Sequence, residues 1–173
     1  AMGRSEKTMG AVAGPGALRI SEVVSGKRRY LPLLLLGDEQ EDMIDRYLER
    51  GRLFVVDDGS ERPESARAVA VVTDEGGGIL EVKNIAVAPA FQRRGYGRAL
   101  LAFVEQTFAG AFDVLQVGTG DSPLTVPFYE ACGFERSHVV PNFFVDNYDH
   151  PIVEAGVRLV DMVYLRKRLR GRR

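Results

Sequence analysis

The sequence predicts an α+β domain, a sheet layered with helices. Two β-rich runs, residues 66–73 and 79–87, are joined by Asp74, Glu75 and the three glycines Gly76, Gly77 and Gly78, a strong hairpin signal. The second run then leads through an amphipathic helix into another strand over 112–117, so this passage reads as a right-handed crossover between roughly parallel strands. The chain has 173 residues, 45% apolar and 27% charged. By area scaling, such a chain buries roughly 70% of the surface it exposes when unfolded, enough for a core without staples.

Taken in order, residues 1–16 are rich in Gly and Ala and carry no period, so a mobile arm is expected there. Residues 17–24 alternate loosely and read as the first strand. Within 39–50, Met43, Ile44, Tyr47 and Leu48 fall at helical spacing, and Gly51 follows as a stop. Residues 53–56 form a short strand ended by Asp57, Asp58 and Gly59. After the hairpin, Leu100, Leu101, Val104 and Phe108 mark one face of a helix over about 95–108, with Gly110 beyond its end. Residues 112–117 make a strand, 124–131 a short helix stopped by Gly133, and 157–165 the last strand. Pro127 is tolerable only in the first turn of its helix, which should therefore begin close to Leu124. Neither a repeat nor a linker divides the chain, so 17–169 reads as a single domain followed by a basic tail at 170–173.

One cysteine, Cys132, excludes an internal disulfide, and two histidines beside it give no clustered metal ligands. A reducing, cytoplasmic setting and no metal are expected. Residues 1–16 lack the continuous apolar stretch of a signal peptide. The longest apolar run, 31–36, is interrupted by Pro32 and falls far short of the ~20 residues a bilayer requires, so no membrane role is expected. The net charge of −1 hides an asymmetry: six of the 23 basic residues lie in 166–173, leaving 17 basic against 24 acidic residues, or −7, in 1–165. An acidic body disfavours nucleic acid and mildly favours cationic ligands, and the basic end reads as a solvated terminus.

The most informative segment is Gln92-Arg93-Arg94-Gly95-Tyr96-Gly97, placed between a strand and an amphipathic helix. Two glycines one residue apart let the backbone approach a ligand, and the first amides of a helix have no partners of their own. An anion suits them, because the amides and the positive end of the helix dipole point at it. A dinucleotide fingerprint needs a third glycine where Leu100 stands, and a P-loop needs a Gly-Lys-Ser/Thr ending that is missing.

Val87-Ala88-Pro89 before this loop, the loop itself, Arg98-Ala99-Leu100-Leu101 after it and Phe128-Tyr129-Glu130-Ala131-Cys132-Gly133-Phe134 downstream together resemble the GNAT superfamily of acetyl-CoA-dependent N-acetyltransferases. The resemblance is carried by residues 79–134 and elsewhere rests on element order. It implies the GNAT fold, a mixed and mostly antiparallel sheet, splayed where acetyl-CoA enters, with helices on both faces. It also implies that amides of Gln92, Arg93, Arg94, Gly95, Tyr96 and Gly97 hold the pyrophosphate of acetyl-CoA. Arg93, Arg94 and Arg98 add charge, and the backbone of Ile85, Ala86 and Val87 pairs with pantetheine.

The implied reaction needs a base to deprotonate an ammonium, a donor at the developing oxyanion and an acid for the departing sulfur. Glu81 lies 14 residues before Gly95, the spacing of the catalytic glutamate in histone-acetylating relatives, and is the candidate base, with an ordered water as the alternative. Strict alternation puts Glu81 on the face of Ile85 and Val87 and Asn84 on the other, unless a bulge intervenes. Tyr129, matching the family's tyrosine, is the candidate acid, since a phenol stays protonated at neutral pH. By resemblance alone, the Ile85 amide serves the oxyanion. Ser122, seven residues before Tyr129, stands where relatives often carry a cofactor-binding Asn. The aromatic and polar segment holding Phe143, Phe144, Tyr148, Asp149 and His150 is the candidate acceptor region, with Phe143, Phe144 and His150 as substrate contacts. The acceptor is expected to be the primary amine of a small molecule. A protein amine, a longer acyl group or a noncatalytic acyl-CoA sensor are the alternatives, and a second copy of the chain is a candidate partner by analogy.

Overall fold

The structure is a computed structural model describing residues 8–11 and 18–170. The rest of the expected arm, and the tail after Arg170, lie outside the described residues. The chain forms two compact units, each assembled from separated stretches: Ala1–Thr73 with Lys83–Thr107, and Asp74–Val82 with Phe108–Arg173.

In the first unit, β1 (Thr8–Ala11), β2 (Arg19–Val23), β3 (Arg52–Asp57) and β4 (Ala68–Asp74) pair antiparallel in sequence order, followed by β5 (Ile79–Val87). β1 falls in the stretch expected to be a structureless arm, where its pairing with Arg19 and Ser21 supplies the order that the local sequence does not encode. Five of six residues in β3 and six of seven in β4 are buried. Because neighbours on a strand point to opposite faces, such runs mean that both faces are covered. On one face Leu53, Val55, Val69 and Val71 pack with Leu34, Ile44 and Leu48. On the other, Phe54 meets Phe103 of α3 (Tyr96–Phe108) edge to face at 5.2 Å between centroids.

The helix expected over 39–50 is shortened, and a helix that was not expected precedes it. α1 (Leu31–Gly37) grows out of the apolar run and tolerates Pro32 in its first turn. α2 is confined to Glu41–Asp45. Beyond it the amides of Arg46 and Tyr47 bond three residues back, tightening the chain into turns that keep Tyr47 and Leu48 buried. The buried ammonium of Lys27 ties off these turns by donating to the carbonyls of Leu48, Glu49 and Gly51 at 3.1, 3.1 and 2.6 Å. Helical periodicity was thus right about the buried face and wrong about the length.

In the second unit, Gly76, Gly77 and Gly78 all take positive φ in the predicted turn, and Glu75 N–H donates to Ile79 O. The first half of β5 pairs in parallel with β6 (Val114–Gly120), Glu81 opposite Gln116, as the predicted crossover requires. The order continues through β10 (Met162–Arg168) to β7 (Glu135–Val140), both pairings antiparallel. α4 (Val126–Ala131) starts two residues after Leu124 and holds Pro127 in its first turn. The last strand expected over 157–165 is broken. β9 (Val157–Arg158) turns back on β8 (Val153–Glu154), and β10 begins only at Met162. β7, exposed along its whole length, and α5 (Phe143–Asn147) had no periodic signal.

Candidate functional site

The glycine loop belongs to the first unit. A 3-10 turn at Pro89–Phe91 carries the chain from β5 toward α3, and Gln92, Arg93, Arg94 and Gly95 are all exposed. Arg93 and Gly95 have φ of 62° and 86°, and a side chain built on Gly95 would meet nothing within 4 Å. The helical ladder opens with Ala99 N–H to Gly95 O at 2.9 Å. Among the described residues, the six amides from Arg93 to Arg98 have no partner ahead of that bond. Unpaired N–H groups at the positive end of a helix suit an anion.

The loop residues divide by role. Gln92, whose amide was expected among the pyrophosphate donors, is engaged within the protein: its N–H donates to Pro89 O at 3.5 Å, closing the turn, and its Nε2 to Val87 O at 3.1 Å. That carbonyl, foreseen as a pantetheine partner, is therefore shared with Gln92. Tyr96 is 1% exposed, so its side chain is closed to a ligand. Arg93, Arg94 and Arg98 are exposed.

Behind the loop, β5 is anchored through Asn84, buried on the same face as Ala86. Its Nδ2 donates to Leu34 O at 2.9 Å and to the Tyr47 hydroxyl at 3.0 Å, and that hydroxyl donates to Asp38 Oδ2 at 3.0 Å. Burial, with the Asp38 charge next, pushes the Tyr47 phenol far above its ordinary range. Asn84 Oδ1 is buried without a hydrogen-bond partner, facing Gly37 at the end of α1. Asn84 immediately precedes Ile85, so α1 fixes the strand at the candidate oxyanion donor.

Glu81, Ser122 and Tyr129 lie in the second unit. Glu81 is 4% exposed, unlike a solvated strand-end glutamate. Its Oε1 accepts from Gln116 Nε2 at 2.5 Å, and Gln116 Oε1 accepts from Arg166 Nε at 2.8 Å. The three residues are register partners on β5, β6 and β10, a polar rung across three strands. Two charges of the basic end are therefore engaged inside the fold: Arg166 in this rung, and Lys167 donating to Cys132 O at 2.8 Å.

Tyr129 is 6% exposed, with Phe128 and Phe134 edge to face at 5.2 and 5.7 Å. Desolvation first, then the neighbouring Cys132 and Glu154, push its phenol well above the ordinary value. Ser122 is buried, its hydroxyl accepting from Leu124 N–H at 3.1 Å in the turn before α4. Cys132 is half-buried.

In the acceptor segment, Phe144 packs with Ile152 and Leu159, and Phe143 leans on that cluster. Phe144 also stacks on Tyr148 with centroids 5.5 Å apart. A cavity of about 160 Å³ is lined by Phe144, Tyr148, Asp149, His150, Ile152 and Leu159 among others. His150 is exposed, with Nδ1 2.6 Å from Asp149 Oδ1. The cavity thus brings Phe144 and His150 together, while Phe143 backs it from the cluster behind.

Gln116, Arg166 and Glu154 were not singled out from the sequence. The first two acquire their place through register across strands distant in sequence, and Glu154 through a hairpin that carries no periodic signal.

The model of the acetyltransferase (GNAT) domain family matches residues 49–136. The chain is 35% identical over 135 residues to an N-acetyltransferase of Bacillus subtilis (strain 168) described as uncharacterized, YvbK, covering 77% of this chain and 84% of that protein. A crystal structure of a GNAT family acetyltransferase from Elizabethkingia anophelis with acetyl-CoA bound is 33% identical, with a TM-score of 0.80 over 88% of this chain and 98% of that one. A Bacillus subtilis acetyltransferase in complex with CoA is also 33% identical, with a TM-score of 0.77 over 88% of this chain and 99% of that one.

Proposed function

The chain belongs to the GNAT acetyltransferases, and we propose that it transfers acetyl from acetyl-CoA directly to the primary amine of a small molecule. The observation that carries this reading is the exposed loop with six open amides at the start of α3, where the Cβ position of Gly95 is surrounded by empty space. Such a loop fits an anionic group such as a diphosphate.

Acetyl-CoA supplies an activated thioester carbonyl. The amides from Arg93 to Arg98 bind its diphosphate, with Arg93, Arg94 and Arg98 adding charge. The backbone of Ile85 to Val87 lines up pantetheine, and the Ser122 hydroxyl adds a polar contact. Glu81 takes the proton of the incoming ammonium, directly or through water, while the Ile85 amide donates to the oxygen that gains charge. Tyr129 gives its proton to the departing sulfur. Burial raises its phenol, so the acid holds its proton at neutral pH.

The acceptor is received by Phe144 and His150, with Phe143 behind them. A cavity of about 160 Å³ suits a small amine better than a protein tail. The acidic excess of 1–165 draws cations toward it. We place the enzyme in the cytoplasm and keep a second copy as its candidate partner.

Titration with acetyl-CoA, followed by thiol-detected release of CoA across polyamines, aminoglycosides, amino acids and peptides, tests the proposal. Binding with turnover on a small amine is expected. Turnover on peptides alone overturns the acceptor class, binding without turnover favours a sensor, and absence of binding removes the cofactor site.

A further inference from the structure

We infer that Arg67, which lies outside the glycine motif and just before β4, is the positioning residue that shapes the anion loop and supplies its unpaired charge. Its backbone already fastens the root of the loop: Arg67 N–H donates to Val56 O, and Arg67 O accepts from Ala88 N–H, both at 2.8 Å. The half-buried side chain then reaches both flanks. Its guanidinium lies 4.4 Å from the Phe91 ring centroid, and Nη1 donates to the Tyr96 hydroxyl at 2.8 Å. Phe91 and Tyr96 are the residues on either side of Gln92-Arg93-Arg94-Gly95, and their rings meet edge to face at 6.2 Å. The guanidinium of Arg94 also lies over Phe91, at 5.6 Å. One cation therefore ties together the entry and exit of the four exposed loop residues.

Arg67 has no carboxylate partner among the described residues. Holding a half-buried guanidinium without an anion costs free energy, since its charge is partly desolvated and uncompensated. One of its five N–H donors is spent on Tyr96, leaving the charge and the rest of the fork to the anion that the loop receives. The stacking on Phe91 orders the loop before the ligand arrives.

The inference rests on the reading of the loop as a diphosphate site, and the test separates the two. Affinity for acetyl-CoA is measured by calorimetry, and for S-acetylpantetheine, which lacks the diphosphate, by ligand-observed NMR, on wild type, Arg67→Met and Tyr96→Phe. Arg67→Met should weaken acetyl-CoA about tenfold, the scale of one charge-assisted contact, and leave S-acetylpantetheine unchanged. Tyr96→Phe, which removes only the clamp's hydroxyl, should weaken acetyl-CoA less, and the double variant should be no worse than Arg67→Met. Equal loss for both thioesters, or acetyl-CoA affinity unchanged in Arg67→Met, overturns the role of Arg67. Should Arg67→Met fail to fold, Tyr96→Phe decides alone, unchanged acetyl-CoA affinity overturning the clamp. Failure of folded wild type to bind acetyl-CoA overturns the loop reading itself.

Discussion

Substituting Gly37 by alanine pits two effects of opposite sign against each other. At the last residue of α1, and outside the positive-φ region, alanine should stabilise the helix by roughly 0.5–1 kcal/mol over glycine. The structure predicts the reverse. A Cβ at Gly37 would overlap Asn84 Oδ1 and lie 3.0 Å from Asn84 Cγ and 3.1 Å from Ile85 O. Asn84 must move, straining or breaking its bonds to Leu34 O and the Tyr47 hydroxyl, which together are worth about 2 kcal/mol. Adding about 1–2 kcal/mol of overpacking and subtracting the helix gain leaves a net loss of about 2–3 kcal/mol. Urea denaturation of the single variants and of Gly37→Ala/Asn84→Ala measures it. Asn84→Ala alone should cost about 2 kcal/mol, and the double variant little more, because the clash is gone. The coupling should therefore be about 2 kcal/mol. Additive losses within about 0.5 kcal/mol, or a stabilised Gly37→Ala, would refute the reasoning.

Tyr129→Phe should lower turnover at least tenfold with acetyl-CoA affinity nearly intact; an unaltered rate removes the acid assignment. The raised phenols of Tyr129 and Tyr47 favour the protonated, folded state. Their contribution to stability is therefore complete below about pH 10 and is lost as pH climbs above it, which spectrophotometric tyrosinate titration alongside the folding midpoint will follow. Glu81→Gln should flatten the acid limb of the rate profile, and an unchanged profile would transfer the base role to water or another group. Lys27→Met should cost about 2–4 kcal/mol, since it strips the Leu48, Glu49 and Gly51 carbonyls of an ammonium donor, and lower the thermal midpoint by roughly 5–15 °C. A drop under about 2 °C would mean that water serves those carbonyls as well.

Local patterns carried most of the chain up to residue 134. The run 79–87 was legible to the residue, because a glycine turn and a proline bound it. The α3 stripe was equally plain, since Leu100, Leu101 and Val104 repeat at the period of the helix they bury. The glycine loop needed only the glycines and their place before that stripe. What escaped depends on partners far away in sequence. β1 is ordered by pairing, the turns after α2 by Lys27, and β7 is an exposed edge whose residues show no alternation because neither face is covered. Leu31 to Leu36 read as an apolar run, with nothing local to say that a helix would bury Leu33 and Leu34 against the sheet. At the candidate site the sequence pointed to motif residues but not to the side chains that hold them. Gln116 acts through strand register, and Arg67 and Asn84 act through contacts to residues far away in sequence that only the tertiary fold creates.

Those supports also explain how Glu81 keeps one orientation. A glutamine amide can present either its oxygen or its nitrogen to a neighbour, and rotating it by half a turn exchanges the two. Against Glu81 alone, Gln116 presents its nitrogen, because Glu81 Oε1 is the acceptor there. Arg166 adds a second, independent constraint, since a guanidinium can only donate and so requires the Gln116 oxygen on its own side. Both demands are met by one rotamer and violated together by the other, which would set oxygen against oxygen at Glu81 and nitrogen against nitrogen at Arg166. The direction of hydrogen bonding thus runs from β10 through β6 to β5, and the carboxyl group that ends it is buried where register fixes it. Three side chains contributed by three strands can hold this arrangement only if the sheet register is intact. Fidelity of pairing between β5, β6 and β10 is therefore a condition on the candidate base as well as on the fold.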